Sequence, residues 1–183
     1  MEWLLEMDGR LLLWLMEMFE HPVLTEIMIF VSRWGNKVSL WIDIGVLFFL
    51  MSFVDRKWLR QGWMVLFSLA GNFLLTNVIL KPLVDRTRPY YVWGYDPVIP
   101  PVGDHSFPSG HTAASFAAAT AIYAINKKWG IAAYLYAAVM GFSRLYLGVH
   151  FPTDVLAGAA VGAAAAMMVI KGMERFYPAK GEH

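Results

Sequence analysis

The feature that most constrains this chain is a series of apolar runs, each about as long as a bilayer is thick. A membrane helix needs roughly 20 mostly apolar residues. Residues 38–54, 58–80, 109–125, 130–147 and 152–170 answer that description, with Asp43 as an intruder in the first run. Ala is abundant in the third run, and Ala and Gly in the fifth. Composition points the same way. The chain has 183 residues, of which 58% are hydrophobic and 16% charged, against about 25% charged in ordinary soluble domains. A body this small is mostly surface, so lipid is the natural solvent for the excess apolar area. The expected fold is all-α: a polytopic membrane helix bundle with about five transmembrane helices, forming a single domain over residues 1–183.

The first 35 residues follow another pattern. Acids at Glu2, Glu6, Asp8, Glu17, Glu20 and Glu26 interleave with Trp3, Leu4, Trp14, Phe19 and Ile27. Apolar residues recur at helical spacing, but in no unbroken run long enough to span. Two short amphipathic helices lying in the membrane interface are expected, broken near His21-Pro22. The alternative is that residues 23–34 dip into the membrane. The acidic start is unlike the basic start of a secretory signal.

Basic residues in short loops set the orientation. Arg56, Lys57 and Arg60 follow the first span, Lys127 and Lys128 the third, and Lys171, Arg175 and Lys180 the fifth. Five spans place all of these on one side, which is expected to be the cytoplasm. The acidic N-terminal segment (which also holds Arg10, Arg33 and Lys37), the loop 81–108 and the turn near His150 then lie outside. A net charge of +1 gives no reason to expect a nucleic acid partner. The absence of cysteine excludes disulfides and cysteine-ligated metals.

Three clusters of chemically active residues fall on that outer face. Lys81, Arg88 and Pro89 stand where the second span leaves the membrane. Pro108-Ser109-Gly110-His111 opens the third span, and Ser143-Arg144, His150 and Asp154 join the fourth to the fifth. Cations beside spans are costly and are usually paired or functional. Three of them next to two histidines suit an anion, because the arginine fork matches phosphate oxygens. Ser109 and Gly110 begin a helix, where free N–H groups and the dipole favour a phosphate. A plain Ser109 N-cap is compatible with that role. His150 and Asp154 are four apart, so Asp can hold one imidazole nitrogen and leave the other free to attack. A structural pair or a metal site that also draws on Asp85, Asp96, Asp104 and His105 is the competing arrangement. The surrounding cations argue against a bound cation.

The same three clusters resemble the signature of the type 2 phosphatidic acid phosphatase superfamily, in its membrane lipid phosphatase branch. Its pattern is Lys-x6-Arg-Pro, Pro-Ser-Gly-His and Ser-Arg-x5-His-x3-Asp. The chain matches at Lys81, Arg88 and Pro89, at Pro108 to His111, and at Ser143, Arg144, His150 and Asp154. The resemblance runs from Lys81 to Asp154 and implies roles. His150 attacks phosphorus and forms a phosphohistidine. Asp154 orients it, and His111 protonates the leaving group and then activates water. Lys81, Arg88, Arg144, Ser109 and Gly110 hold the phosphoryl oxygens. No metal cofactor is implied. The resemblance also implies a lipid phosphate as substrate and a multi-pass place in the cell membrane with an extracytoplasmic site. Undecaprenyl diphosphate is the first candidate lipid, ahead of phosphatidylglycerophosphate and phosphatidic acid. Two other activities compete: a vanadate-dependent haloperoxidase, and a non-catalytic binder or translocator of lipid headgroups.

Other residues carry structural expectations. Gly158 and Gly162 permit close helix packing within the chain. Tyr90, Tyr91, Trp93 and Tyr95 are expected in an interfacial belt. Asp43 is expected to have a buried polar partner.

Overall fold

The computed structural model describes residues 2–36 and 39–176, and the described residues are helical with no strand. Lys37, Lys180 and the first residue of the 38–54 run lie outside the described residues. The helices are α1 (Glu2–Phe19), α2 (Pro22–Asn36), α3 (Ser39–Met51), α4 (Lys57–Phe73), α5 (Lys81–Val84), α6 (Pro89–Trp93), α7 (Gly110–Ile125), α8 (Lys127–Tyr146) and α9 (Pro152–Phe176). Between α4 and α5 the chain runs as a π-helix, Leu74–Leu80.

Local chemistry sets several boundaries. Asn126 ends α7 in extended geometry and its side chain accepts the Trp129 N–H, capping α8. Pro152 opens α9, where its missing N–H costs nothing. Asp85 adopts a left-handed conformation, φ 48°, and ends α5 with its N–H on the Lys81 carbonyl. The break between α1 and α2 falls at residues 20–21, as the His21-Pro22 step predicts.

α7 is the central helix. It packs on α8 and α9, and α4 packs on α3, α7 and α9. The α7–α9 contact is close because Gly158 and Gly162 of α9 face α7. A Cβ on Gly162 would stand 2.0 Å from the Ala113 carbonyl oxygen, and one on Gly158 would stand 2.6 Å from that of Ser109. The core between these helices is built from Ala114, Ala118, Ala121, Met64, Val65 and Leu69. The outer faces stay apolar: Leu50, Phe67, Leu135, Leu156 and Met168 are all exposed. Water tolerates such patches poorly, whereas hydrocarbon suits them, and this is a membrane protein.

Among the described residues, two stretches are long and apolar enough to cross a bilayer: Trp58–Trp93 at 36 residues and Pro152–Phe176 at 25. α3 is apolar but short, α7 has 16 residues, and α8 carries Lys127, Lys128 and Arg144. Alternation of chain direction puts the start of α4, the α7–α8 junction and the end of α9 at one end of the bundle. Arg56, Lys127, Lys128 and Arg175 collect there.

Two structural expectations need correction. Asp43 is exposed, because α3 buries its Trp41 and Gly45 face and Asp43 points the opposite way. Tyr90 and Tyr95 are braces more than belt residues. Tyr90 is buried with its hydroxyl on the Val102 backbone, and the Tyr95 hydroxyl donates to the Gly148 carbonyl at 2.8 Å. Tyr91 is exposed, as a belt residue would be.

Candidate active site

The other end of the bundle gathers the chemistry. Lys81 arrives at the end of the π-helical turns, His111 in the first turn of α7, Arg144 in the last turn of α8, and Asp154 in the first turn of α9. Arg88 and His150 sit in the connecting turns. Residues far apart in sequence meet there because four helices end at one level.

A cavity of about 380 Å³ is lined by Lys81, Arg88, His111, Arg144 and His150, with Asp104 at its wall. A second cavity of about 200 Å³ shares Lys81, Asp104 and His111 and adds Gly110, Asn77 and Ser115. Lys81, Arg88 and Arg144 are at most 5% exposed. Three buried cations repel each other unless anions balance them. Asp104 supplies part of that balance, since its carboxylate accepts from both Lys81 and Arg88. Burial pushes the Asp104 carboxyl up, but Lys81 and Arg88 outweigh it and hold the group at about 2.

Arg88 also fixes the histidine. Its guanidinium donates to the Val149 carbonyl at 2.8 Å and lies 3.2 Å from His150 Nε2. A guanidinium has only donors, so in this contact Nε2 accepts and carries the lone pair. The ring proton is then on Nδ1, which faces Asp154 Oδ2 at 3.4 Å. That distance exceeds a good hydrogen bond, and Nδ1 has no closer partner. Such catalytic contacts often tighten only when substrate binds. Asp154 is fully buried and held on several sides: Oδ2 accepts from the Phe151 N–H at 2.9 Å and from the Ser106 hydroxyl, and Oδ1 accepts from Arg86 at 2.6 Å. His150 stands in the turn between α8 and α9. Burial lowers its pKa to about 4, offset in part by Asp154 and reinforced by Arg88. At neutral pH its lone pair is available.

Of the predicted phosphate ligands, Lys81, Arg88 and Arg144 line the main cavity. Gly110 lines the smaller one, where a Cβ would stand 3.4 Å from Asn77 Oδ1 and 3.9 Å from Lys81 Nζ. Ser109 lines neither. Its hydroxyl pairs with Thr112 Oγ1 at 2.9 Å, and its backbone N–H goes to the Asp154 carbonyl at 3.0 Å. It occupies the N-cap position of α7 without capping through its side chain. Its observed contacts tie the start of α7 to the start of α9.

The competing metal grouping does not assemble. Asp104 faces two cations, and His105 Nδ1 pairs with Asp85 Oδ1 at 2.7 Å on the surface. Among the described residues no cluster of three His, Asp or Glu side chains forms. Sequence reasoning missed Arg86 as an Asp154 partner, Asp8 as its second partner, and Asp104 as an anion within the clamp. For Arg86 the available signal was a third cation between Lys81 and Arg88. For Asp8 no local signal existed, because its partner is 78 residues away.

Known proteins resemble this chain in sequence and in fold. Undecaprenyl-diphosphatase BcrC of Bacillus subtilis (strain 168) is 30% identical over 136 residues, covering 74% of this chain and 68% of that protein. Phosphatidylglycerophosphatase B of the same organism is 31% identical, over 79% of this chain and 73% of that protein. The crystal structure of a transmembrane PAP2-type phosphatidylglycerolphosphate phosphatase from Bacillus subtilis is similar with a TM-score of 0.81 and 26% identity. That match covers 98% of this chain and 90% of that one. The sequence profile of the PAP2 superfamily matches residues 61–178. A match that long, across the very helices that carry the cluster, makes this chain a member of the PAP2 superfamily.

Proposed function

We propose that this protein is a metal-independent lipid phosphatase that works through a phosphohistidine. The observation that carries the reading is the contact of His150 Nε2 with Arg88 inside a cavity walled by cations. That contact holds Nε2 beside the cations that would bind a phosphoryl group, and the lone pair it lends to Arg88 is the one that would turn to phosphorus.

The phosphoryl oxygens displace the Asp104 carboxylate from Lys81 and Arg88 and also meet Arg144. His150 Nε2 attacks phosphorus as the bond to the leaving oxygen breaks. That oxygen takes a proton from His111, which enters the step as the imidazolium, its proton brought in with the bound phosphate whose negative charge stabilises it. The imidazole, now bearing phosphorus on Nε2 and a proton on Nδ1, is cationic, and Asp154 stabilises it. His111 then takes a proton from water, the hydroxide attacks phosphorus, and the P–N electron pair returns to Nε2. Phosphoryl transfer depends mainly on positioning and charge stabilisation, and fixed cations supply both.

The relatives' names support a lipid substrate. We favour undecaprenyl diphosphate, by similarity to BcrC. Phosphatidylglycerophosphate is the second reading, favoured by the solved structure that this chain matches over nearly its whole length. Phosphatidic acid is the third. In our reading five helices, α3, α4 with its π-helical continuation, α7, α8 and α9, span the cell membrane. α1 and α2 rest at the interface on the extracytoplasmic side, and the site opens to that side through the loop 81–108.

The test is phosphate release by purified protein in detergent with EDTA present, from each of the three lipids. Release, with the fastest lipid naming the substrate, supports the reading. Activity that appears only when a divalent metal is restored overturns the metal-free mechanism. Release by His150→Ala at the wild-type rate overturns the phosphohistidine.

A further inference from the structure

Arg86 lies in the turn between α5 and α6, between two of the clamp cations in sequence, yet it lines neither cavity. Its side chain is 13% exposed, and the guanidinium stacks 4.0 Å from the Phe151 ring centroid. Nη1 donates to Asp154 Oδ1 at 2.6 Å and to Thr153 Oγ1 at 2.7 Å. Nη2 donates to Asp8 Oδ2 at 2.7 Å. Asp8 comes from α1 and is only 6% exposed. Oδ1 of Asp8 accepts the Thr153 backbone N–H at 3.1 Å, and Oδ2 also accepts from the Thr153 hydroxyl. Two buried carboxylates therefore share one guanidinium.

The Asp154 oxygens divide their work. Oδ1 belongs to Arg86. Oδ2 faces His150 and takes Ser106 and the Phe151 N–H. How much negative charge Asp154 presents to the imidazole depends on how much Arg86 withdraws. How much Arg86 withdraws depends in turn on Asp8, which pulls the same cation the other way.

We propose that Asp8 and Arg86 are positioning residues for the reaction, forming a relay from α1 through Asp154 that sets how strongly the His150 imidazolium is held. The proposal rests on the phosphohistidine reading above. It makes α1 part of the machinery, because the first helix delivers the carboxylate that fixes Arg86.

Removing the Arg86 cation leaves the Asp154 charge wholly to His150. The protonated imidazole is then favoured, and the acid limb of kcat/KM moves to higher pH. Removing the Asp8 charge leaves Arg86 wholly to Asp154. The protonated imidazole is then disfavoured, and the limb moves to lower pH. The other charged or titratable groups facing His150 are Arg88 before α6, Arg144 on α8 and His111 on α7. Lys81 on α5 and the Asp104 carboxylate share the cavity with it. None of these changes in either variant, so shifts in opposite directions report the relay alone.

The experiment measures kcat and KM against pH for the full chain in detergent, with the fastest of the three lipids. The variants are Arg86→Lys, Arg86→Ala, Asp8→Asn and His150→Ala. Supporting contacts of this kind typically carry about 10-fold in activity. Asp8→Asn is expected to lose about that much in kcat, change KM less than about 2-fold and lower the acid limb. Arg86→Ala is expected to raise the limb by about one pH unit, and Arg86→Lys to return most of kcat. Arg86→Ala leaves two buried carboxylates unpaired and is the variant most exposed to misfolding. Asp8→Asn, which is isosteric and removes a charge, decides the matter in that event. Wild-type kcat and an unmoved limb in Asp8→Asn overturn the relay while a dead His150→Ala keeps the phosphohistidine. An active His150→Ala overturns both.

Discussion

Asp104 holds the place of the substrate's charge. Its carboxylate binds Lys81 and Arg88, the same two cations a phosphoryl group would need. Phosphate must compete with it, and a ligand that displaces a charged group loses the strength of the pair displaced. Asp104→Ala is therefore expected to strengthen inhibition by inorganic phosphate, lowering its Ki by roughly 10-fold, about 1.4 kcal/mol. An unchanged Ki in an otherwise folded variant would show that Asp104 swings clear at no cost. His150 gives the pH prediction. Its pKa in the free protein is lowered to about 4, and the protonated ring has no lone pair to attack with. Activity should persist down to about pH 5 and fall about 10-fold per unit below about 4, read from kcat/KM, which reports the free enzyme. A limb near the usual histidine value of about 6.5 would contradict the burial of this ring. The clustering of Arg88, His111, Arg144, His150 and Asp154 was legible because local spacing puts them at helix ends or in the adjoining turns. Asp8 and Asp104 were not legible as partners. An acid on an amphipathic helix looks like a solvated face until the fold shows what lies beneath it.

At the scale of elements, the α7–α9 seam governs the site. Gly158 lies beneath Ser109, whose N–H bonds the Asp154 carbonyl, so this seam sets the distance between the two helix starts that carry His111 and Asp154. Gly162→Ala should cost about 1–3 kcal/mol, the usual penalty of overpacking a tight core. A lowered midpoint of thermal unfolding in detergent would show it. Gly158→Ala should lose activity more than stability, since its added carbon presses on the Ser109 carbonyl next to the site. Comparing turnover with unfolding midpoint for the pair separates the two effects. The seam itself was legible, because small residues four apart in a span predict close packing. The path of the loop 81–108 was not. Pro and Tyr residues announce an irregular segment, but nothing local says that Tyr90 will brace Val102 or that Asp104 will turn inward.

For the whole molecule, the two ends of the bundle differ in kind. One end collects Arg56, Lys127, Lys128 and Arg175, and the other holds the cavity. In our proposed topology the first end faces the cytoplasm, as the positive-inside rule would have it. The chain has no cysteine, so single cysteines can be placed and labelled without background. An impermeant maleimide should reach Asp96→Cys in intact cells, and Lys128→Cys only after the membrane is opened; the reverse pattern would invert the topology. In an α-helix each residue turns the chain by about 100°. The π-helical turns at Leu74–Leu80 are wider, and they lie directly upstream of Lys81. They therefore act as a phase adjuster between a helix face chosen by lipid packing and a side chain chosen by chemistry. Many substitutions along 74–80 should be silent, while the loss of a single residue there would rotate Lys81 out of the cavity by about a quarter turn. In this segment length, more than identity, is the inherited information.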